Sequence, residues 1–492
     1  MNYIGISCGF HDAAISVIKN DGQILYAAHS ERFSKIKHDL NLCPAIVKEA
    51  LKFAGNQYEL HYYEKPWLKA IRQFRAGQNI GPFTLKTIIG TELCEMMDDR
   101  TITTHIHHKS HAAAGFQTSP FTEATVVVID AIGELDCISI WDACYDKHGN
   151  AHYTKLWSKQ YPNSIGLFYS AMTERVGLKP NEEEYILMGM AAYGKPMYGN
   201  KLASQILSDM FELDFKHNLH IGLPEGILKK ATNEDIAASA QIVCETLIEK
   251  VMQKAKVLGS SDNLVYGGGV ALNCLANRLL GKYYKNIWIM PNPGDAGNSL
   301  GAAALGYGKK LQWNNAFLGT DIPGKYPVKK IINQLKKNKM VGVASGRAEF
   351  GPRALGNRSL LADPRGKEIK DKVNEIKRRQ KFRPFAPVIL EEHVHEHFTM
   401  PRNWVDSRYM QVIATCRHPD LYPAICHVDG TSRVQSVPKD GSGIRQLLEA
   451  WYSETGCPML LNTSLNIRGE PMVNDRSDAD RFEKLYKLKV VS

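Results

Sequence analysis

Apolar and polar positions alternate along the first forty residues. "YIGISC" and "AISVIKN" flank the "GFHDAA" turn, and Asn20, Asp21 and Gly22 turn the chain into "QILYAAHSERF", which predicts hairpin-linked strands. Residues 44–60, 65–76 and 84–98 follow as predicted helices. A strand–loop–helix unit is predicted over 101–116, and "TVVVIDAIGE" (125–134) reads as a buried strand ending in Asp130. "ISIWDACYDKHGNAHYTKLWSKQYP" (138–162) predicts another hairpin turning at "KHGN", and helices dominate from there to residue 256. "NLVYGGGVALNCLANRLL" is strand, glycine turn and helix, and "NIWIMPNPGDAGNSLGAAALGYG" repeats that plan. Two halves, each of hairpins and βα units, predict a duplicated nucleotide-binding fold of the actin-like ATPase type.

The apolar periodicity breaks at "WNNAFLGTDIPGKYP" (313–327), where Gly, Pro and Asn mark a linker. A helix over 328–338, the strand "MVGVASG" and a dense set of Arg and Gly then predict a second α/β domain of roughly 160 residues. The expected domains are 1–322 and 323–492.

Composition changes this picture little. The hydrophobic content of 44% and charged content of 23% are those of an ordinary soluble globular protein, and 492 residues allow roughly two to four domains. No run of eighteen apolar residues exists, so no membrane span is expected, and the strand-like start carries no signal-peptide pattern. Ten scattered cysteines without a C-x-x-C pair read as reduced thiols of a cytoplasmic protein. Charge matters more. Lys and Arg (61) exceed Asp and Glu (51) for a net +10, which favours polyanions or phosphorylated substrates.

The candidate chemistry starts at "HHKSH". His107 and His111 stand at i and i+4, so a helix points both imidazoles to one side. With Asp130 and with Asp295 of "NPGDAGNS" they make a three- or four-ligand metal site. A zinc protease needs glutamate directly after the first histidine, and His108 stands there. Gly267, Gly268 and Gly269, running on to Asn273, allow close backbone approach before a helix N-terminus that attracts phosphate. Gly297 and Gly301 let a nucleotide lie against the backbone beside Asp295. His11 is a candidate general base near neutral pH, and Lys35 or Lys37 can meet a phosphate. Arg347, Arg353 and Arg358, then Lys381 and Arg383, then Asn462, Ser464, Asn466 and Arg468 form clusters suited to carboxylate, carbamate and phosphate.

"GFHDAA", "ERFSKIKHD", "HHKSHAA", "VVVIDAIGE", "LMGMAAYGKP", "GGGVALN", "GDAGNSLGAA", "GRAEFGPRALGNRSLLADPR", "KFRPFAP" and "NTSLNIRGEP" span nearly the whole chain. Together they resemble the O-carbamoyltransferase family of nodulation-factor, cephamycin and aminoglycoside carbamoyltransferases. The resemblance implies an N-terminal domain like the tRNA threonylcarbamoyl transferases, of actin-like ATPase fold, and a YrdC-like C-terminal domain. It implies that carbamoyl phosphate and ATP with Mg²⁺ yield carbamoyladenylate on the arginine clusters. The carbamoyl group then passes to an acceptor hydroxyl at the centre of His107, His111, Asp130 and Asp295, with His11 and Lys37 catalytic. Iron(II) is the implied metal; the ligand set also permits Mn²⁺, Co²⁺ or Zn²⁺. The acceptor is a further expectation. Lys65, Lys69, Arg72, Arg75 and Lys86 interleave with Tyr62, Tyr63, Trp67 and Phe74, which suits 5-hydroxymethylcytosine in DNA. The alternatives are a small-molecule natural product or sugar, threonylcarbamoylation of tRNA, or a non-catalytic nucleotide sensor.

Overall fold

Strand-forming runs of the N-terminal part build two sheets on one plan. The computed structural model describes residues 1–492. Its first sheet holds β1 (Asn2–Ser7), β2 (Ala14–Ile18), β3 (Ile24–His29), β4 (Tyr58–Tyr62) and β5 (Ile102–Thr104). The second holds β6 (Glu123–Ile129), β7 (Asp136–Tyr145), β8 (Ala151–Gln160), β9 (Asn263–Gly267) and β10 (Asn286–Trp288). The orders are β3-β2-β1-β4-β5 and β8-β7-β6-β9-β10. In each, three strands form an antiparallel meander, and the last two run parallel to the first. The repeat is one of topology.

Each fifth strand leads to a helix that is buried almost all round, His107–Phe116 after β5 and Asn298–Tyr307 after β10. Small residues let these two helices pack together. A Cβ on Gly301 would lie 2.0 Å from the Ser110 carbonyl oxygen, and one on Gly5 of β1 would lie 1.8 Å from that of Ser299. Backbone here meets backbone.

Residues 1–34 and 38–314 form one compact unit; residues 35–37 and 315–492 form the other. In the second, β11 (Phe317–Ile322) pairs with β13 (Gly346–Glu349). A six-stranded sheet comprises β12 (Met340–Ala344), β14 (Arg358–Ala362), β15 (Ala386–Leu390), β16 (Gln435–Val437), β17 (Met459–Ser464) and β18 (Val490–Val491), in the order β16-β15-β17-β14-β12-β18. The helices Val328–Asn338 and Gly443–Thr455 bury Ile331, Leu335, Leu447 and Trp451 in its core. No helix is long and apolar enough to cross a membrane.

Four expectations are corrected. The helix expected over 44–60 stops at Ala54, where Gly55 takes φ +66°, and Tyr58–Tyr62 becomes β4 because it pairs with β1. The helix expected over 84–98 breaks at Gly90 (φ +101°). Only a 3₁₀ turn (Gly269–Leu272) and the short helix Cys274–Asn277 follow the glycine triplet, so no long helix N-terminus faces it. The expected linker 313–327 contains β11, whose pairing with β13 draws the second unit's start back to Asn315.

Candidate functional site

The centre is built around the helix His107–Phe116. Its N-terminus lacks a side-chain cap of its own; Glu134 instead accepts from the His107 backbone N–H at 2.9 and 3.1 Å, and from that of Lys65 at 2.8 Å. That carboxylate holds the first turn while His107 and His111 share a face. Asp130 follows β6, and Asp295 begins the turn before the helix Asn298–Tyr307.

All four side chains are buried, and their donor atoms lie within 4.8 Å of one another. His107 Nε2 is 3.1 Å from His111 Nε2, 3.2 Å from Asp130 Oδ2 and 3.2 Å from Asp295 Oδ1. His111 Nε2 is 3.3 Å from Asp295 Oδ1 and 3.7 Å from Asp130 Oδ2. Donors around an ion with bonds of about 2.1 Å sit about 3.0–3.4 Å apart, so this spacing fits a divalent transition ion. Asp295 Oδ1 is buried and accepts no hydrogen bond, although both imidazole nitrogens are near. A buried orphan oxygen is costly, and a cation between these groups satisfies it. Burial alone would lower the His107 and His111 pKa values and raise those of Asp130 and Asp295; the mutual contacts win, raising the imidazoles and lowering the carboxyls. Imidazoles bind a metal in their neutral form, so metal binding here would compete with protons.

The surroundings aim the ligands. Gly269 N–H donates to Asp130 Oδ1 at 3.0 Å, leaving Oδ2 for the cluster. Gly268 takes φ +88°, and a Cβ there would lie 2.2 Å from the Ile129 carbonyl oxygen. A Cβ on Gly297 would lie 1.8 Å from the Asn292 carbonyl oxygen, and Gly267 backs onto His111. Asn273 caps the short helix through Ala276 N–H and bonds Gln241. These residues, expected to meet a nucleotide, lie around the centre and help to frame it. Glu64, which the motif reading missed, is buried 3.7 Å from His107 Nδ1 and accepts from Lys69 Nζ at 3.0 Å. Its only sequence signal was a carboxylate at the end of a buried strand.

His11 lies in the turn after β1, and Ser7 at the end of that strand donates to the Asp295 carbonyl oxygen at 2.8 Å. Burial would lower the His11 pKa, but its hydrogen bond to Asp12 and the charges of Asp295, Asp12 and Asp130 push it up to about 9. It is therefore more basic than the near-neutral value expected. Lys37 is half-buried in the stretch 35–37 that groups with the second unit.

In the second unit the structure brings Ser464 and Asn466 together, Ser464 Oγ donating to Asn466 Oδ1 at 2.6 Å. Lys377 is buried against them; its Nζ donates to the Ser464 carbonyl oxygen, to Asn466 O at 2.8 Å and to Asn466 Oδ1 at 3.0 Å. Burial, then the charges of Arg379 and Arg383, lowers its pKa. Arg468 is exposed, and its backbone N–H donates to Lys377 O at 3.0 Å. Asn374 donates to the Lys381 and Arg383 carbonyls, holding their loop. Asn462 is buried and donates to Ala354 O and Gln435 Oε1, tying β17 to the loop that carries half-buried Arg353. Arg347 donates to the Gly319 and Leu318 carbonyls. Arg358 is corrected outright as an anion ligand. It is fully buried, its guanidinium donating to the carbonyls of Thr320, Ser345, Gly346, Asn357 and Asn474, so it braces the fold.

The basic–aromatic stripe is divided. Tyr62 and Tyr63 are core residues, while Trp67 and Phe74 are 52% and 73% exposed. Lys69 pairs with Glu64 and Lys86 with Asp99, and Arg72 is buried over the Tyr161 ring.

Fold and site together define a mixed α/β protein whose duplicated sheets frame a buried two-histidine, two-aspartate centre. The chain belongs to the carbamoyltransferase family: residues 46–304 match the family model for the carbamoyltransferase N-terminus and 332–491 that for the C-terminus. It is a carbamoyl-transferring enzyme of that family. It is 33% identical to the uncharacterized protein sll1178 of Synechocystis sp., covering 97% of this chain and 93% of that one. Nodulation protein NolNO of Sinorhizobium fredii is 28% identical, covering 95% and 76%. Nodulation protein U of Rhizobium tropici is 26% identical, covering 97% and 94%.

Proposed function

We propose that the protein is an ATP-dependent O-carbamoyltransferase working through carbamoyladenylate. The observation that carries this is the convergence of His107, His111, Asp130 and Asp295 in a chain of this family. The topology of the first unit, two sheets of identical order, supports an actin-like ATPase fold; for the second unit we infer a YrdC-like domain. There, water cleaves carbamoyl phosphate to carbamate and inorganic phosphate, and a carbamate oxygen attacks the α-phosphorus of ATP, expelling pyrophosphate. Arg353, Lys381, Arg383, Ser464, Asn466 and Arg468 hold the anions, with Lys377 keeping Ser464 and Asn466 in place. Mg²⁺ accompanies the ATP.

In the first unit, His107, His111, Asp130 and Asp295 would hold the divalent ion, for which iron(II) is our expectation; when bound it supplies Lewis acidity and fixed positive charge. The acceptor oxygen attacks the carbamoyl carbon, its proton passes to Nε2 of His11 in its neutral form, the bond to the adenylate oxygen breaks, and AMP leaves. Lys37 is proposed to assist through its charge.

The leading acceptor is 5-hydroxymethylcytosine in DNA. It is supported by the net charge of +10 and by Lys65 and Arg75, which make no side-chain pairs, beside exposed Trp67 and Phe74. Pairing of Lys69 and Lys86 within the unit favours the second reading, a small-molecule natural product or sugar. Mass spectrometry for a carbamoyl-sized gain decides, on a panel of hydroxylated sugars, natural products and hydroxymethylcytosine DNA with ATP and carbamoyl phosphate. Transfer to DNA that falls steeply with salt supports the first reading, and transfer only to sugars rejects it. Absence of pyrophosphate release rejects the proposal altogether.

A further inference from the structure

Two backbone hydrogen bonds tie the turn that carries His11 to the loop after the short helix Glu31–Ser34. Gly9 N–H donates to Leu40 O at 2.7 Å, and Ala13 N–H donates to Asp39 O at 2.7 Å. Between these two ties sits Asp12, whose carboxylate faces two imidazoles. Its Oδ2 lies 3.0 Å from His11 Nδ1, and its Oδ1 lies 2.8 Å from His38 Nδ1. Asp12 and His38 both take φ +54°, a left-handed conformation uncommon outside glycine. The His38 backbone N–H is held in turn by Glu31 Oε2 at 3.0 Å.

We infer that Asp12 is a positioning residue for carbamoyl transfer, clamping His11 through Nδ1 and so setting Nε2 as its proton-accepting nitrogen, with His38 as the opposing anchor. The inference rests on the reading of His11 as base. An ionised carboxylate only accepts hydrogen bonds, so each ring must present an N–H at Nδ1. A neutral His11 then carries its lone pair on Nε2, which has no hydrogen-bond partner within the chain. Asp295 and Asp130 act on His11 by charge, and Lys69 lies over the neighbouring Phe10 ring. Of these groups Asp12 alone bonds the ring. Asp12, Glu31 and His38 also bring donor atoms within 4.8 Å of one another, but hydrogen bonds among them satisfy those atoms, and no ion is called for.

The test is Asp12→Asn, because Asn tolerates positive φ as Asp does and leaves the turn intact. Its amide has one accepting oxygen and one donating nitrogen, so it cannot accept from both rings. Two-bond ¹H–¹⁵N spectra are recorded on full-length, histidine-labelled, Zn²⁺-loaded protein at the alkaline end of the histidine titration. Resonances are assigned with His11→Gln and His38→Gln. We expect Nδ1–H for both rings in the parent and a switch of one ring to Nε2–H in Asp12→Asn. Nε2–H on His11 in the parent, or two unchanged rings in the variant, would overturn the inference. On whichever acceptor is turned over, Asp12→Asn should lower kcat at least about a hundredfold, with KM and pyrophosphate release unchanged. An unchanged kcat would also overturn it.

His38→Gln, which keeps the Asp12–His11 contact, should cost less than about tenfold and leave His11 as Nδ1–H; a changed His11 tautomer there counts against the clamp. The spectra need no acceptor. If His11→Ala transfers normally, the base reading fails by itself, whereas a failure confined to Asp12→Asn removes only the clamp.

Discussion

Replacing Gly301 with alanine tests whether helix packing sets the ligand spacing of the centre. The added Cβ would lie 2.0 Å from the Ser110 carbonyl oxygen, where ordinary contact begins at 3.4 Å, so the two helices must part by about 1.4 Å. Ser110 adjoins His111, and Gly301 lies in the helix that the Asp295 turn opens, so the displacement falls on the 3.3 Å His111–Asp295 gap. Metal sites tolerate errors of only about 0.2 Å in ligand distance. Overpacking alone should cost about 1–3 kcal/mol. Displaced support typically weakens metal affinity by about 10–100-fold, and backbone strain at this position argues for the upper end. At free metal about 1,000 times the parent Kd, binding stabilises the parent by about 4 kcal/mol but a 100-fold weaker variant by only about 1.4 kcal/mol. Denaturant unfolding with and without chelator, together with metal stoichiometry, reads both parts. The variant should lose about 2.7 kcal/mol more in metal than in chelator. An equal penalty under both conditions would refute the idea that this contact spaces the ligands.

His107→Ala with His111→Ala should abolish bound metal and transfer while pyrophosphate release persists; equal metal content in variant and parent removes these ligands from contention. Arg358→Lys should destabilise the second unit by at least about 2 kcal/mol in denaturant unfolding, because a single ammonium cannot serve five carbonyls. Unchanged stability with lost pyrophosphate release would return Arg358 to anion binding. The Arg445 guanidinium holds the Glu392 carboxyl down at about 2, below its unfolded value. This depressed carboxylate stabilises the fold above about pH 4.5 and stops doing so as pH falls toward 2. Glu392→Gln should therefore cost under about 1 kcal/mol at pH 7, the pair being partly exposed, and nothing near pH 2; an equal cost at both pH values would count against the pair.

Much of the centre is legible in the sequence because its signals are local. The i, i+4 spacing of His107 and His111 needs only a helix, and Asp130 closes a β-branched run that reads as a strand in any context. The expected helix 44–60 ends early because Tyr58–Tyr62 becomes a strand only beside β1, and the expected helix 84–98 breaks because Gly90 takes a positive φ. A glycine in a sequence shows room but not its neighbours: a Cβ on Gly268 or Gly297 would meet a carbonyl oxygen, and Gly269 N–H donates to Asp130, contacts that no local pattern displays. Arg358 looked like its neighbours in an arginine cluster. Burial alone separates it from exposed Arg468.

Ligand types, family and the hairpin and βα elements are readable from the chain, because side-chain chemistry and short-range periodicity are written in neighbouring residues. Folding alone sets which carboxylates meet which imidazoles, that two sheets repeat one order, and that Asp12 lies between two histidines. Those are distances between segments far apart in the chain, and they arise only when backbone packs on backbone at positions such as Gly5 and Gly301.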